Sequence, residues 1–227
     1  MSHAPIDADA PAESGRHGYA RSRDTRARIL RAALVDAGEV GFHKTSVTRI
    51  AARAGVALGN VNYHFGSKRK LLRELMATLV AEVSSRIHVS LPADSDDFFD
   101  QERAGLLAYL AYLRENPAYA RLSDEVKLHE PELYQRAFEA WTELFRARIR
   151  AGIERGAIRP MARPEIHALA HVMYGAHQFL DRLIESDDDP GDEAIADAYL
   201  GFVRAGLGPA PPTDPTSPHP PRERPRT

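Results

Sequence analysis

The chain has 227 residues, 43% of them hydrophobic, enough to bury one large core or two modest ones. It contains no cysteine, which excludes disulfides and thiolate-bound metals, and no run of about 18 apolar residues that would predict a membrane span. The net charge of −2 conceals an asymmetry: Arg16 to Arg73 holds 13 Lys and Arg against 3 acids (Asp24, Asp36, Glu39), so a head of +10 precedes a remainder of −12, a distribution suited to a polyanion at one end.

Residues 1–20 are rich in Ala, Pro, Asp and Ser without periodicity and are expected to form a disordered arm, closed by Arg16, Arg21 and Arg23. No apolar run near the start predicts a secretory signal, and the expected location is cytoplasmic. A first helix is predicted from Ser22 to Ala37, with Ile29, Leu30, Ala33, Leu34 and Ala37 inward. Gly38 and Gly41 end it.

The stretch Thr45 to Lys70 organises the rest. Val47, Ile50, Ala51 and Ala54 stand at i, i+3, i+4 and i+7, the stripe of a short helix, and Gly55 follows where positive φ ends a helix. Val56 and Val61 supply the apolar side of a second short helix, leaving Asn60, Asn62, Tyr63 and His64 outward. Small Ala51 and turn-forming Gly55 let two helices cross closely, as in a helix-turn-helix. Ser67 then caps a long helix to Leu91, yet Lys68, Arg69 and Lys70 fill its first turn, where the dipole disfavours cations by about 0.3–1 kcal/mol each. A phosphate on those N–H groups would reverse that sign.

Further helices are predicted from Phe98 to Glu115, from Pro117, from Pro131 to Arg155, from Glu165 to Glu185 and from Glu193 to Ala205, separated by proline- and glycine-marked breaks. After Gly208 the chain is rich in proline and expected to be unstructured. The expected fold is all-α with about nine helices: a helix-turn-helix domain over 21–66, a ligand-binding and dimerisation body over 67–207, and a disordered tail over 208–227.

The segments ILRAALVDAGEVGF, TSVTRIAARAGV and NYHFGSKRKLL resemble the TetR family of bacterial one-component regulators, strongly over Arg23 to Val83 and only in pattern beyond. The resemblance implies a homodimer that represses promoters and is released by a small ligand in the body. The family usually has Ser or Thr at the position of Ala57, a polar residue at Leu58 and an aromatic at Asn62, so the operator is not readable by analogy.

The helix from Leu58 to His64 is expected in the major groove of double-stranded DNA, with Asn60 and Asn62 reading bases and Leu58 near a thymine methyl. Thr45, Thr48, Tyr63, His64 and Lys68, with Arg23 and Arg49, are expected on phosphates. A dimer interface is expected from Leu169, Met173, Ala176, Leu180 and Leu183 on one helix and Ile195, Tyr199 and Phe202 on the last. Tyr134, Phe138, Trp141, Phe145 and Ile149 form an aromatic stripe that serves either as plain core or as the wall of an effector pocket, with Tyr109, Tyr112, His129, Met173 and His177 as its edges.

His167 and His171, four apart on one helical face, have metal-ligand spacing that His177 and Asp181 repeat, but no Cys joins them and the face continues as Tyr174, Gln178 and Asp181 like a polar strip at a subunit seam, so no metal or cofactor is expected. An enzyme is not expected, because no phosphate loop or nucleophile elbow is present. The alternatives to a ligand-released repressor are an activator of the same fold, or an adaptor that binds a protein partner or answers to no small ligand.

Overall fold

The computed structural model describes residues 12–92 and 97–208, with side chains from residue 20 onward. Among these residues ten α-helices and one 3-10 turn follow in order: α1 (Ala12–Val40), the 3-10 turn (Phe42–Lys44), α2 (Val47–Ala54), α3 (Leu58–Phe65), α4 (Lys68–Ser90), α5 (Phe98–Glu115), α6 (Ala118–His129), α7 (Pro131–Glu154), α8 (Arg163–His177), α9 (Leu180–Ile184) and α10 (Asp192–Leu207). No strand occurs among the described residues. No described helix is long and apolar enough to cross a membrane.

Two element boundaries differ from expectation. Helix α1 starts at Ala12 rather than Ser22, taking in residues 12–20 of the segment expected to be disordered. No proline interrupts it there, so the helix propagates backward one residue per hydrogen bond. The disorder expected of residues 1–11 and 209–227 lies outside the described residues. The helix expected from Glu165 to Glu185 comes in two pieces, because Phe179 (φ −116°, ψ 3°) leaves the helical region between α8 and α9. That interruption is why ten helices stand where about nine were expected.

The head is α1 to α3 with the start of α4. Ile29, Ala33 and Ala37 of α1 are buried with Ile50 and Ala51 of α2, Val61 and Phe65 of α3 and Leu71 of α4. Burying each such aliphatic or aromatic side chain contributes about 1.5–3 kcal/mol. In the body, α4 packs on α5, α7 on α8 and α10 on α5. Helix α6 lies between the two regions, against α1 on one side and α7 on the other. It carries the head on the body.

Candidate nucleic-acid interface and effector cavity

Two backbone devices set the angle between α2 and α3. Gly55 adopts φ 63°, ψ 40° at the end of α2, a left-handed conformation that a side chain would strain. The Arg28 guanidinium of α1 donates to the Ala54 carbonyl (2.7 Å) and the Gly55 carbonyl (3.0 Å), satisfying oxygens at the helix end and pinning the turn. At the other end of α2 the Ser46 hydroxyl accepts from the Arg49 N–H at 3.1 Å.

Helix α3 lacks such a cap. Ala57 stands at its N-cap and makes no side-chain bond, so its first N–H groups are left for solvent or an anion. Val61 and Phe65 are buried, as expected of core positions, while Asn60, Asn62 and Leu58 are exposed and Tyr63 is 82% exposed. His64 is half-buried between the rings of Tyr63 and Phe65, with centroids at 5.2 and 6.3 Å. The expected reading residues therefore share one open surface, joined by exposed Thr48 on α2. Arg23 is exposed on α1.

Three expected phosphate holders are engaged elsewhere. Thr45 is 4% exposed, and its hydroxyl donates to Asp36. Asp36 is wholly buried on α1 and also takes the Arg49 Nε at 2.5 Å and the Arg53 Nε at 3.3 Å, tying α1 to α2. Arg49 is exposed but paired with both Asp36 and Glu39. Lys68 donates to the carbonyls of His43 (2.9 Å) and Thr45 (2.7 Å) above the Phe42 ring, and burial pulls its ammonium below the ordinary lysine range against the opposing attraction of Glu125. The physical reason is common to all three: a small head has few apolar groups, so polar side chains near its seams are drawn inward as cross-links.

The basic first turn of α4 is corrected in the same way. Arg69 pairs with Glu130 at the α6–α7 junction, and Arg73 approaches the same carboxylate at 3.6 Å. The hydrogen bond from Arg69, together with both charges, holds Glu130 below the usual carboxylate range. Lys70 is exposed and, among the described residues, has no ion-pair partner.

In the body, α4 to α9 enclose a cavity of about 270 Å³. Of the expected edges and wall, Tyr109, Tyr134, Trp141, Phe145 and His177 line it. Four others do not. Tyr112 is buried against Tyr119 and under Arg86, and Met173 is buried in the core. His129 sits against His43 of the head, with ring centroids at 5.2 Å. Phe138 packs edge-on against His171 and Tyr174 of α8, each at 5.1 Å, behind the wall. The lining also includes Tyr119 and Asp124 of α6, Tyr174 of α8 and Asp181 of α9, none of them expected there. Their signal was spread over three helices, which no single-helix periodicity carries.

Beside the cavity lies a buried polar cluster. Glu102 of α5, 1% exposed, receives the Tyr199 hydroxyl at 2.9 Å and the Arg148 guanidinium at 2.8 Å, with His177 Nε2 at 4.0 Å. Burial lowers the His177 pKa; Glu102 opposes that and Arg148 adds to it. Its ring stacks on Tyr109 at 5.7 Å.

The expected dimer stripes are also shifted. Met173, Leu180, Ile195 and Tyr199 are buried within their own subunit and Leu169 and Ala176 are half-buried, whereas Leu183 (38%) and Phe202 (62%) are exposed. Val172 and Phe179 extend the exposed apolar set. On a helix with a wide apolar arc, the residues in best phase face the subunit's own core.

His167 and His171 have ring centroids 4.3 Å apart, but the Arg146 guanidinium reaches His167 Nδ1 at 3.0 Å and His171 Nδ1 faces the His167 carbonyl at 2.7 Å. A cation already occupies that face, and no group of three or more ligands arranged for a metal exists among the described residues.

An uncapped, outward helix set by a glycine turn against a positioning helix with a buried inner face defines a helix-turn-helix DNA-binding protein. The sequence profile of the tetR family of bacterial regulatory proteins matches residues 29–75. The head of the chain thus matches the DNA-binding domain of the TetR family of bacterial regulators. It is 34% identical over 71 residues to the HTH-type transcriptional regulator BetI of Serratia proteamaculans, 31% of this chain and 36% of that one. With BetI of Escherichia coli it shares 30% over 123 residues, 48% of this chain and 58% of that one. The chain thus spans less than two thirds of the length of the curated relatives it matches.

Among solved structures, a tetR-family regulatory protein from Rhodococcus RHA1 superposes with TM-score 0.67 at 24% identity, covering 82% of this chain and 98% of that one. SmeT, the repressor of the Stenotrophomonas maltophilia multidrug efflux pump SmeDEF, gives 0.66 at 20%, covering 87% and 100%. These likenesses extend the fold over the body.

Proposed function

We propose that the chain is a homodimeric repressor that binds an operator through α3 and leaves it when a small molecule enters the body cavity. The observation that carries the reading is the open face of α3, where Leu58, Asn60, Asn62 and Tyr63 stand exposed on a helix whose opposite side is buried. Asn60 and Asn62 read bases; Thr48, Tyr63, His64 and Lys70, with Arg23, hold phosphates. One head reads too few base pairs for a genome, so two copies joined across Val172, Phe179, Leu183 and Phe202 place half-sites about 34–36 Å apart or a multiple of that.

Helices α4 and α6 support coupling between cavity and head. Tyr119, Ser123 and Val126 of α6 line the cavity, while its Glu125 accepts from the N–H groups of Phe42 (3.0 Å) and His43 (2.9 Å) and its Arg121 donates to the Gly38 carbonyl (2.6 Å). Met76 and Val80 of α4 line the same cavity, about two and three turns past the Arg69–Glu130 pair. A ligand that favours one arrangement of these helices changes head spacing, and tenfold release needs about 1.4 kcal/mol of such preference.

The test is a gel shift on the DNA upstream of the chain's own gene across a salt series. Binding that weakens steeply with salt, with a dimer bound to each site, supports the reading. Binding indifferent to salt, or a chain monomeric on DNA, overturns it.

A further inference from the structure

The cavity also carries information about its occupant, given that the body is an effector site as proposed above. Its walls are unusually rich in rings: Tyr109, Tyr119, Tyr134, Trp141, Phe145 and Tyr174 come from four helices. The charged groups among them are not equivalent. Asp124 is 69% exposed and lies 3.9 Å from Arg182 on the outside. Arg136 is exposed, so its charge is solvated. Asp181 differs from both: it is half-buried on α9 and, among the described residues, has no ion-pair partner. His177 supplies no compensating charge, since burial holds its ring neutral near pH 7.

We infer that the cavity takes a compact organic cation with an aromatic or apolar body, its charge placed against Asp181 and the rings of Tyr109 and Trp141. An unpaired carboxylate inside a ring-lined space costs free energy until a cation arrives, and ring faces attract the same charge. An anion would meet Asp181 as a repulsion and gain only the solvated Arg136. A cavity of about 270 Å³ excludes large ligands.

Trp141 is the only tryptophan in the chain, so its fluorescence reports from the cavity wall itself. The full chain is titrated with three probes that share a benzyl group: benzyltrimethylammonium, its neutral isostere neopentylbenzene, and the anion phenylacetate. The cation is expected to change the Trp141 emission saturably and to bind about tenfold more tightly than the neutral isostere, with phenylacetate weakest. Asp181→Asn, with its melting temperature recorded to confirm folding, is expected to erase the cation's advantage and leave the neutral isostere where it was. Equal or tighter binding of the neutral or anionic probe overturns the inference, as does a cation preference that survives Asp181→Asn or the failure of every probe at millimolar concentration. The same cation is then added to the gel shift. Tight cation binding with no loss of operator affinity would sink the release mechanism and spare the ligand class; operator release by an anion alone would do the reverse.

Discussion

Asp36 in the head and Glu102 in the body are two acids removed from water, and the molecule surrounds them differently. Asp36 is wholly buried, but its partners Arg49 and Arg53 reach it from side chains 46% and 32% exposed, with Glu39 as a second acceptor for both. Glu102 is 1% exposed and its partners are deep too: Arg148 is 20% exposed, Tyr199 is buried and His177 Nε2 has no hydrogen bond. The head uses its buried charge as a rivet between α1 and α2. The body sets its buried charge next to the cavity. On the function proposed above, a rigid reading surface and a yielding sensor call for these two different uses of one residue type.

The sharpest way to break this comparison is to remove each acid. Glu102→Ala leaves the Arg148 charge buried with nothing to balance it and is expected to destabilise the body by about 3–5 kcal/mol. Asp36→Ala frees Arg49 and Arg53 to water and to Glu39, so the expected loss is smaller, about 1–3 kcal/mol, chiefly the unsatisfied Thr45 hydroxyl and the missing tie to α2. Urea denaturation at pH 7.5 measures both. Equal losses would mean that the two carboxylates are alike after all.

Much of the head was readable because its signals are local. Gly55 follows directly on the stripe it ends, and Val61 and Phe65 keep helical phase with each other. Asp36 was the exception. It stands seven residues after Ile29 and next to Ala37, in phase with the buried stripe, but a carboxylate in that position reads as solvated until the arginines of a separate helix are seen to meet it. Lys68 and Arg69 misled for the same reason, since their partners are the carbonyls of a preceding turn and Glu130 of another helix. In the body almost nothing was local. The stripe on α7 left core and wall unresolved, and the structure gives both: Trp141 and Phe145 line the cavity while Phe138 faces α8.

A finer test uses protons. Burial lowers the His177 pKa below the ordinary value of about 6.5. The unfolded chain therefore binds a proton there that the folded chain refuses, and stability present above pH 6.5 is lost as pH falls through that value. Urea midpoints at pH 7.5 and 5.5 should show a fall in the wild type, and His177→Asn should show a smaller one.

The smallest effect separates two lysines two residues apart in the turn that joins the regions. Lys70 is exposed beside Tyr63, His64 and Gly66 on the reading side. Lys70→Ala should lower the slope of log operator affinity against log salt by about 1, as expected when one fewer phosphate is neutralised, with little change in stability. Lys68 spends its ammonium on the His43 and Thr45 carbonyls, so Lys68→Ala should leave that slope unchanged and instead cost the head about 1 kcal/mol in urea. A slope change at Lys68 as large as at Lys70 would show that its two carbonyl bonds give way when DNA arrives, and the turn would then belong to the reading surface rather than to the rivets that hold it.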